Sequence, residues 1–421
     1  MLCFRWCVVL LVTLTASMTV GVGAQQQVDA EQMRQWSARQ WAAEALRQAD
    51  AVDDPADADS IRLERLMALC QLPDPPEGLA EEAEAIAQRV VQRLKEARQG
   101  GHAGAAAKIE APAEADVEDG MLESDDLFDL NTAGYVLARL GEFPRAQRWA
   151  ELIAEPDLRA DYWVQVGWGV AERQEADRVA QVNAEIESAV SELESWEQAW
   201  WQSDIGAFWL LLGDVGRAHA AAQLMPGDEK FYSLLSLVDL AMDTQQAAAI
   251  DLWLPQLRAL HGFMAGDVYA DAEMARLDAR RGEIEDAERL LDRVSKEADL
   301  YTYTALAVAV AEAQHDAGRD ADGEATLRKL AEAIAQADGI ARAGDPAPDP
   351  AGDALTQGEL AYLWGDLAVA CHETGRFDLL ADAWQRCDSP RHRGRMATGV
   401  ATHLAWQHYV RFWKPLAPAP I

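Results

Sequence analysis

Leu140-Gly141-Glu142-Phe143-Pro144-Arg145-Ala146 decides the fold: a glycine ends one helix, an apolar residue stands two places on and an alanine five places on. The pattern recurs. Gly213-Asp214-Val215-Gly216-Arg217-Ala218 and Gly282-Glu283-Ile284-Glu285-Asp286-Ala287 keep all three positions, and Gly375-Arg376-Phe377 keeps two, with Leu380 where the alanine stood. Glycine tolerates the left-handed conformation that closes a helix C-terminus. Each copy therefore reads as the turn of a helical hairpin.

Working outward, the four glycines are 72, 69 and 93 residues apart. An interval near 70 is about twice the ~34 of a helix-turn-helix repeat, so each unit holds two hairpins. The second turn shows itself only at Gly318, 36 residues after Gly282. The last interval is long because a Pro/Gly/Asp-rich stretch, residues 343–354, is inserted where no helix can run. Seven residues before each glycine lie Gly134, Gly206, Ala275 and Ala368, and twelve after it lie Ile153, Met225, Val294 and Cys387. These are two sides of one packed hairpin, which makes Cys387 a small buried hydrophobe.

Small residue, glycine, apolar, alanine and apolar at these steps resembles the tetratricopeptide repeat, over roughly residues 127 to 413. The repeat-ending proline is missing from its usual place, although Pro156, Pro226 and Pro390 sit nearby. The resemblance implies an α-solenoid of about four double-hairpin units whose concave surface, lined by the first helix of each hairpin, holds a protein or peptide. A hairpin alone cannot bury its apolar faces, so neighbours stack and the end needs a polar cap. Met396 to Trp413 is the expected capping helix.

Composition agrees with an all-α chain. Half of the residues are apolar, only two are asparagine, and alternating strand patterns are scarce. Residues 25–99 form an N-terminal helical region, with helices expected over Gln32–Asp50, Asp59–Leu72 and from Leu79 to beyond Leu94. Residues 100–126 turn to Gly, Ala, Pro and acid, the composition of a flexible acidic linker, and the array occupies 127–415.

Met1-Leu2-Cys3-Phe4-Arg5, an apolar run from Trp6 to Val20 and Val22-Gly23-Ala24 have the charge, apolar core and small-residue cut of a secretory signal over residues 1–24. The run falls short of the ~20 residues of a membrane span. The expected location is secreted or periplasmic, with no transmembrane span in the mature chain. Losing one arginine and no acid takes the net charge from −34 to −35. Such a surface repels nucleic acid and anionic lipid and favours a basic partner. Cys70, Cys371 and Cys387 remain, too few and too scattered for a disulfide framework.

Catalytic spacing is absent: there is no phosphate loop, no Gly-x-Ser-x-Gly elbow and no His-Glu-x-x-His. His403 and His408 are five apart, the wrong step for two ligands on one helical face. No cofactor or metal is expected, and the expectation is a non-enzymatic interaction scaffold. The alternative is a glycan-cleaving or polysaccharide-handling protein. Both readings draw on one row, because Phe128, Trp200, Tyr269 and Tyr362 all stand thirteen residues before a glycine. Tyr135, Arg139, Arg276 and Arg280 fall on the same helical face at 100° per residue. The rings either line the groove or start their helices and pack on the preceding unit.

Overall fold

A computed structural model describes residues 29–105, 124–153, 155–191, 193, 201–225, 229–264, 266–342, 347–348, 354–387 and 389–412. Residues 1–24, where a secretory signal is expected, Trp200, residues 106–123 and most of 343–354 lie outside them. Among the described residues the chain is all-helical apart from one antiparallel pairing of Ala347–Pro348 with Ala354–Leu355.

Among the described residues nineteen helices follow one another. The first four are α1 (Ala30–Gln35), α2 (Ala38–Ala49), α3 (Pro55–Cys70) and α4 (Leu79–Ala105). Then come α5 (Ser124–Arg139), α6 (Phe143–Ala150), α7 (Pro156–Glu172), α8 (Ala176–Val190), α9 (Gln202–Leu211) and α10 (Val215–Ala222). After them run α11 (Glu229–Asp243), α12 (Ala247–His261), α13 (Val268–Arg280), α14 (Ile284–Glu297), α15 (Leu300–Asp316) and α16 (Asp320–Arg342). The last three are α17 (Gln357–Glu373), α18 (Phe377–Arg386) and α19 (Pro390–Phe412).

The expected Gln32–Asp50 helix is in fact two. Ser37 and Gln40 form a capping box that restarts the helix after Trp36. The segment read as linker is helical at both ends, through Ala105 and from Ser124.

The hairpin turns follow one rule. Gly141, Gly213, Gly282, Gly318 and Gly375 all have positive φ. The next amide donates to a carbonyl five residues back, as Glu142 does to Leu137 at 2.8 Å and Arg376 to Cys371 at 2.7 Å. The turns that lack glycine obey it too. Gln174 (φ 58°) and Gln245 (φ 55°) take the left-handed position, and Glu175 and Gln246 close onto Val170 and Ala241. The residues two, five and twelve after the glycine pack inward: Phe143, Ala146, Ala218, Ala287, Leu380, Ile153, Met225, Val294 and Cys387 are all buried. Cys387 is a core thiol, as are Cys70 and Cys371.

Odd-numbered helices from α3 to α19 pack on one another in sequence, each backed by its even-numbered partner, except between α11 and α13. There Arg276 reaches Asp239, and Arg280 reaches Asp239 at 2.7 Å and Asp243 at 2.5 Å. The series also returns to its beginning. α19 packs on α17 on one side and on α2 and α3 on the other, so the N-terminal α2 supplies the partner that the last hairpin lacks.

The expected solvated cap is therefore overturned. Met396, Ala397, Val400, Ala401 and Ala405 are fully buried, and His392, Arg393 and Arg395 are buried with them. Arg391 pairs with Asp57 at 2.9 Å, Arg395 with Glu64 and, at 2.8 Å, with the Ser60 hydroxyl, and Thr398 donates to Glu64 at 2.8 Å. Gly394 permits the approach, since a Cβ there would stand 2.6 Å from Ile61 Cδ1. One apolar core runs from Trp41 and Ile61 through the array to Met396, so the N-terminal helices and the array are not separate bodies.

Candidate binding face

Aligning the seven left-handed turns that close onto a carbonyl five residues back, the two glutamines included, extends the row. Thirteen residues before them stand Phe128, Asp161, Trp200, Tyr232, Tyr269, Ala305 and Tyr362. Sequence reasoning missed Tyr232 and Asp161 because their turns carry no glycine. The signal was the period, for Gln174 follows Gly141 by 33 residues and Gln245 follows Gly213 by 32.

The described rings are exposed: Phe128 45%, Tyr232 40%, Tyr269 36% and Tyr362 39%. They occupy the first two turns of α5, α11, α13 and α17. Phe128 and Tyr362, more than two hundred residues apart, line one cavity of about 450 Å³ with Asp57, Arg391 and Arg395. Phe128 and Tyr362 thus meet where the last helices of the series join the first. The Arg395 guanidinium lies 4.4 Å from the Tyr362 ring centre, a cation–π contact. At Tyr269 the Asp267 carboxylate caps α13 by accepting from the Tyr269 and Ala270 amides.

Carboxyls stand among and one turn below the rings. Asp161, Asp204 and Asp366 are each pushed up to about 6, with burial the main cause. Asp157 adds to the shift at Asp161, and Asp161 adds to that at Asp204, where a Trp168 hydrogen bond opposes it. Asp366 is exposed to water on one side and crowded by protein on the other.

Tyr135, Arg139, Arg276 and Arg280 lie elsewhere, toward the helix C-terminal ends, in polar joints between neighbouring helices. Tyr135 is buried. Its hydroxyl donates to Glu172 at 2.7 Å and accepts from Gln71 at 2.8 Å. Arg139 Nε donates to the same Glu172 at 3.1 Å, and its guanidinium lies 5.5 Å from the Tyr409 ring centre. Burial pushes the Glu172 carboxyl up to about 7 against the pull of Arg139. Arg276 and Arg280 are held by the ion pairs between α11 and α13, and Arg276 also by Glu273 at 2.8 Å.

The end of α19 fills this far side. His403 meets Glu373 at 2.8 Å, Gln407 donates to it at 3.1 Å, and Glu312 of α15 is hydrogen-bonded to it as well. Two carboxyls so joined share a proton. Glu373, held by His403 and Gln407, drops to about 2 despite burial, so the proton rests on Glu312, whose pKa burial and Glu373 raise well above the usual range. Cavities of about 890 and 910 Å³ flank the α19 end, one beside Arg139 and Tyr409, the other beside Asp243, Glu373 and Trp406. Among the described residues no cluster of three or more side chains has the placement of a metal site, and no helix is long and apolar enough to cross a membrane. No protein-family model, curated protein or solved structure matches this chain.

Proposed function

We infer that this chain is a tetratricopeptide-like α-solenoid closed into one turn, and that it acts without catalysis as an interaction scaffold of the cell envelope or periplasm. It holds a partner protein against the aromatic row. The carrying observation is the exposure of Phe128, Tyr232, Tyr269 and Tyr362 in one register. Rings that served only to pack on the preceding unit would be covered, as Tyr162 and Phe208 are. Uncovered aromatic area gathered on one face marks a docking surface. Leu152, Leu224 and Phe263, the last 90% exposed, precede the starts of α7, α11 and α13 and add apolar area at the same end. The apolar run and small-residue cut of residues 1–24 support the extracytoplasmic location.

The glycan-cleaving alternative has no comparable support. A glycosidase holds its two carboxyls ~5–10 Å apart with the sugar between them, whereas the acids nine residues before the glycines, Asp204, Glu273 and Asp366, are spread one to a helix over α9, α13 and α17.

The test replaces Phe128, Tyr232, Tyr269 and Tyr362 together by alanine in the full chain. The melting temperature should move by only a few degrees, since each ring is partly solvated already. Partners recovered from envelope extract by the native protein should be lost. Equal recovery by both proteins sinks the reading, and so does a collapse of the fold.

A further inference from the structure

We propose that the segment held at this mouth is cationic, an extended stretch bearing arginine or lysine whose charged ends reach Asp161, Asp204 and Asp366 while their stems lie along the rings, and that protons compete with it. The proposal rests on the reading of the row as a partner site.

The register supplies the geometry. Asp161 stands in the row itself. Asp204 and Asp366 stand nine residues before their glycines, one helical turn further along and about 40° around from the ring position. On α17, Tyr362 and Asp366 are therefore an aromatic and a carboxylate on adjacent turns, and the Arg395 guanidinium on the Tyr362 ring shows that a cation fits against that ring. α15 contributes Tyr301, 37% exposed, which feels the charges of Glu359 and Asp366 on the neighbouring helix.

Charge supplies the occupant. Other acids in the interior have counter-ions: Asp239 and Asp243 have Arg276 and Arg280, Asp57 has Arg391, and Glu64 has Arg395. Among the described residues Asp161, Asp204 and Asp366 have no basic partner. The groups facing them are Asp157 on α7, Trp168 near Asp204, and Tyr301 and Glu359 near Asp366, none of them a cation. Carboxyls crowded by protein and left without a cation are costly when ionised, and a bound guanidinium or ammonium lowers that cost. The net charge of −34 draws cations toward the mouth from a distance.

Proton competition follows from the same burial. The three groups titrate near 6, so they are ionised at neutral pH and increasingly protonated below it. A ligand that needs them ionised binds more weakly as the medium turns mildly acidic.

The experiment measures fluorescence anisotropy of three labelled dodecapeptides with the full chain, built on repeats of Arg-Gly-Ser, Gln-Gly-Ser and Glu-Gly-Ser. The arginine peptide should bind at least about tenfold tighter than the glutamine peptide near pH 7.5 and lose on the order of 100-fold by pH 5. Asp161→Asn with Asp366→Asn should weaken the arginine peptide and flatten its pH profile, with melting temperature unchanged or raised. Equal binding of the arginine and glutamine peptides, or a pH-independent affinity, overturns the proposal. If the glutamine or glutamate peptide binds best and the fourfold alanine variant loses it, the cationic assignment fails while the row survives as a partner site. If the arginine peptide binds that variant undiminished, the row itself has failed.

Discussion

Gln174 and Gln245 hold a backbone conformation that costs an L-residue about 1–2 kcal/mol relative to the right-handed one. The cost is tolerated because each turn closes two hydrogen bonds and lets its hairpin pack. Gln245→Gly should therefore stabilise the protein by up to about 1 kcal/mol, partly offset by the greater freedom of glycine in the unfolded chain. A higher urea midpoint at unchanged slope is the expected result, and a lower midpoint would show that the glutamine side chain does more than occupy the turn. At this scale the sequence was legible where residue type and conformation agree. The glycine turns and the core thiol at Cys387 could be read directly. Tyr232 and Asp161 could not, because glutamine gives no sign that a left-handed turn lies thirteen residues further on.

Among the elements, α19 does most to depart from expectation. Its composition, with Arg391, Arg393, Arg395, His403, Gln407 and Arg411, is that of a solvated helix. What buries it is a set of acids far away in sequence, Asp57 and Glu64 on α3 and Glu373 on α17. Local polarity cannot reveal that Arg391, Arg395 and His403 will find acids on other helices.

The carboxyl pair where α19 meets α15 and α17 makes this joint sensitive to pH. Glu312 is favoured in its protonated form, so its contribution is most favourable below the ordinary value of 4.5 and declines as pH rises toward its raised folded value. Glu373 is favoured ionised. Its contribution is present above 4.5 and is lost as pH falls toward about 2. Glu312→Gln keeps a donor facing Glu373 and removes the titration. It should be more stable than the native protein by roughly 1 kcal/mol near pH 8, with the gap closing toward pH 4. Glu373→Gln should be less stable at neutral pH by roughly 1–3 kcal/mol, since one of its two acceptor oxygens becomes an NH2 donor that faces either Glu312 or the His403 and Gln407 donors. Melting temperatures across that range check both, and parallel profiles for all three proteins would refute the shared proton.

For the molecule as a whole, the period of the turns and the sides of each hairpin were legible, while closure was not. Repeats specify only how each hairpin meets the next. Whether the last meets the first depends on the accumulated rotation and on Gly394, whose missing side chain admits Ile61. Closure removes the free ends at which a linear stack would fray. Deleting residues 29–50 should restore one, leaving the α19 face that packed on α2 bare. The shortened chain should melt lower and in more than one step, and limited proteolysis should release fragments cut within 390–412. A single transition at the native temperature with α19 still protected would show that α2 is dispensable.

The bond from Arg395 to Ser60 joins residues 335 apart in the chain. At a synthesis rate of ~5–20 residues per second, α2 and α3 exist for something like twenty seconds to a minute before the helix that covers them has been made. Through that interval Ile61 lacks its Gly394 neighbour and Trp41 its Trp384 neighbour, and the growing chain depends on whatever shields apolar surface in its surroundings. The last helix to be made ends that dependence for the first.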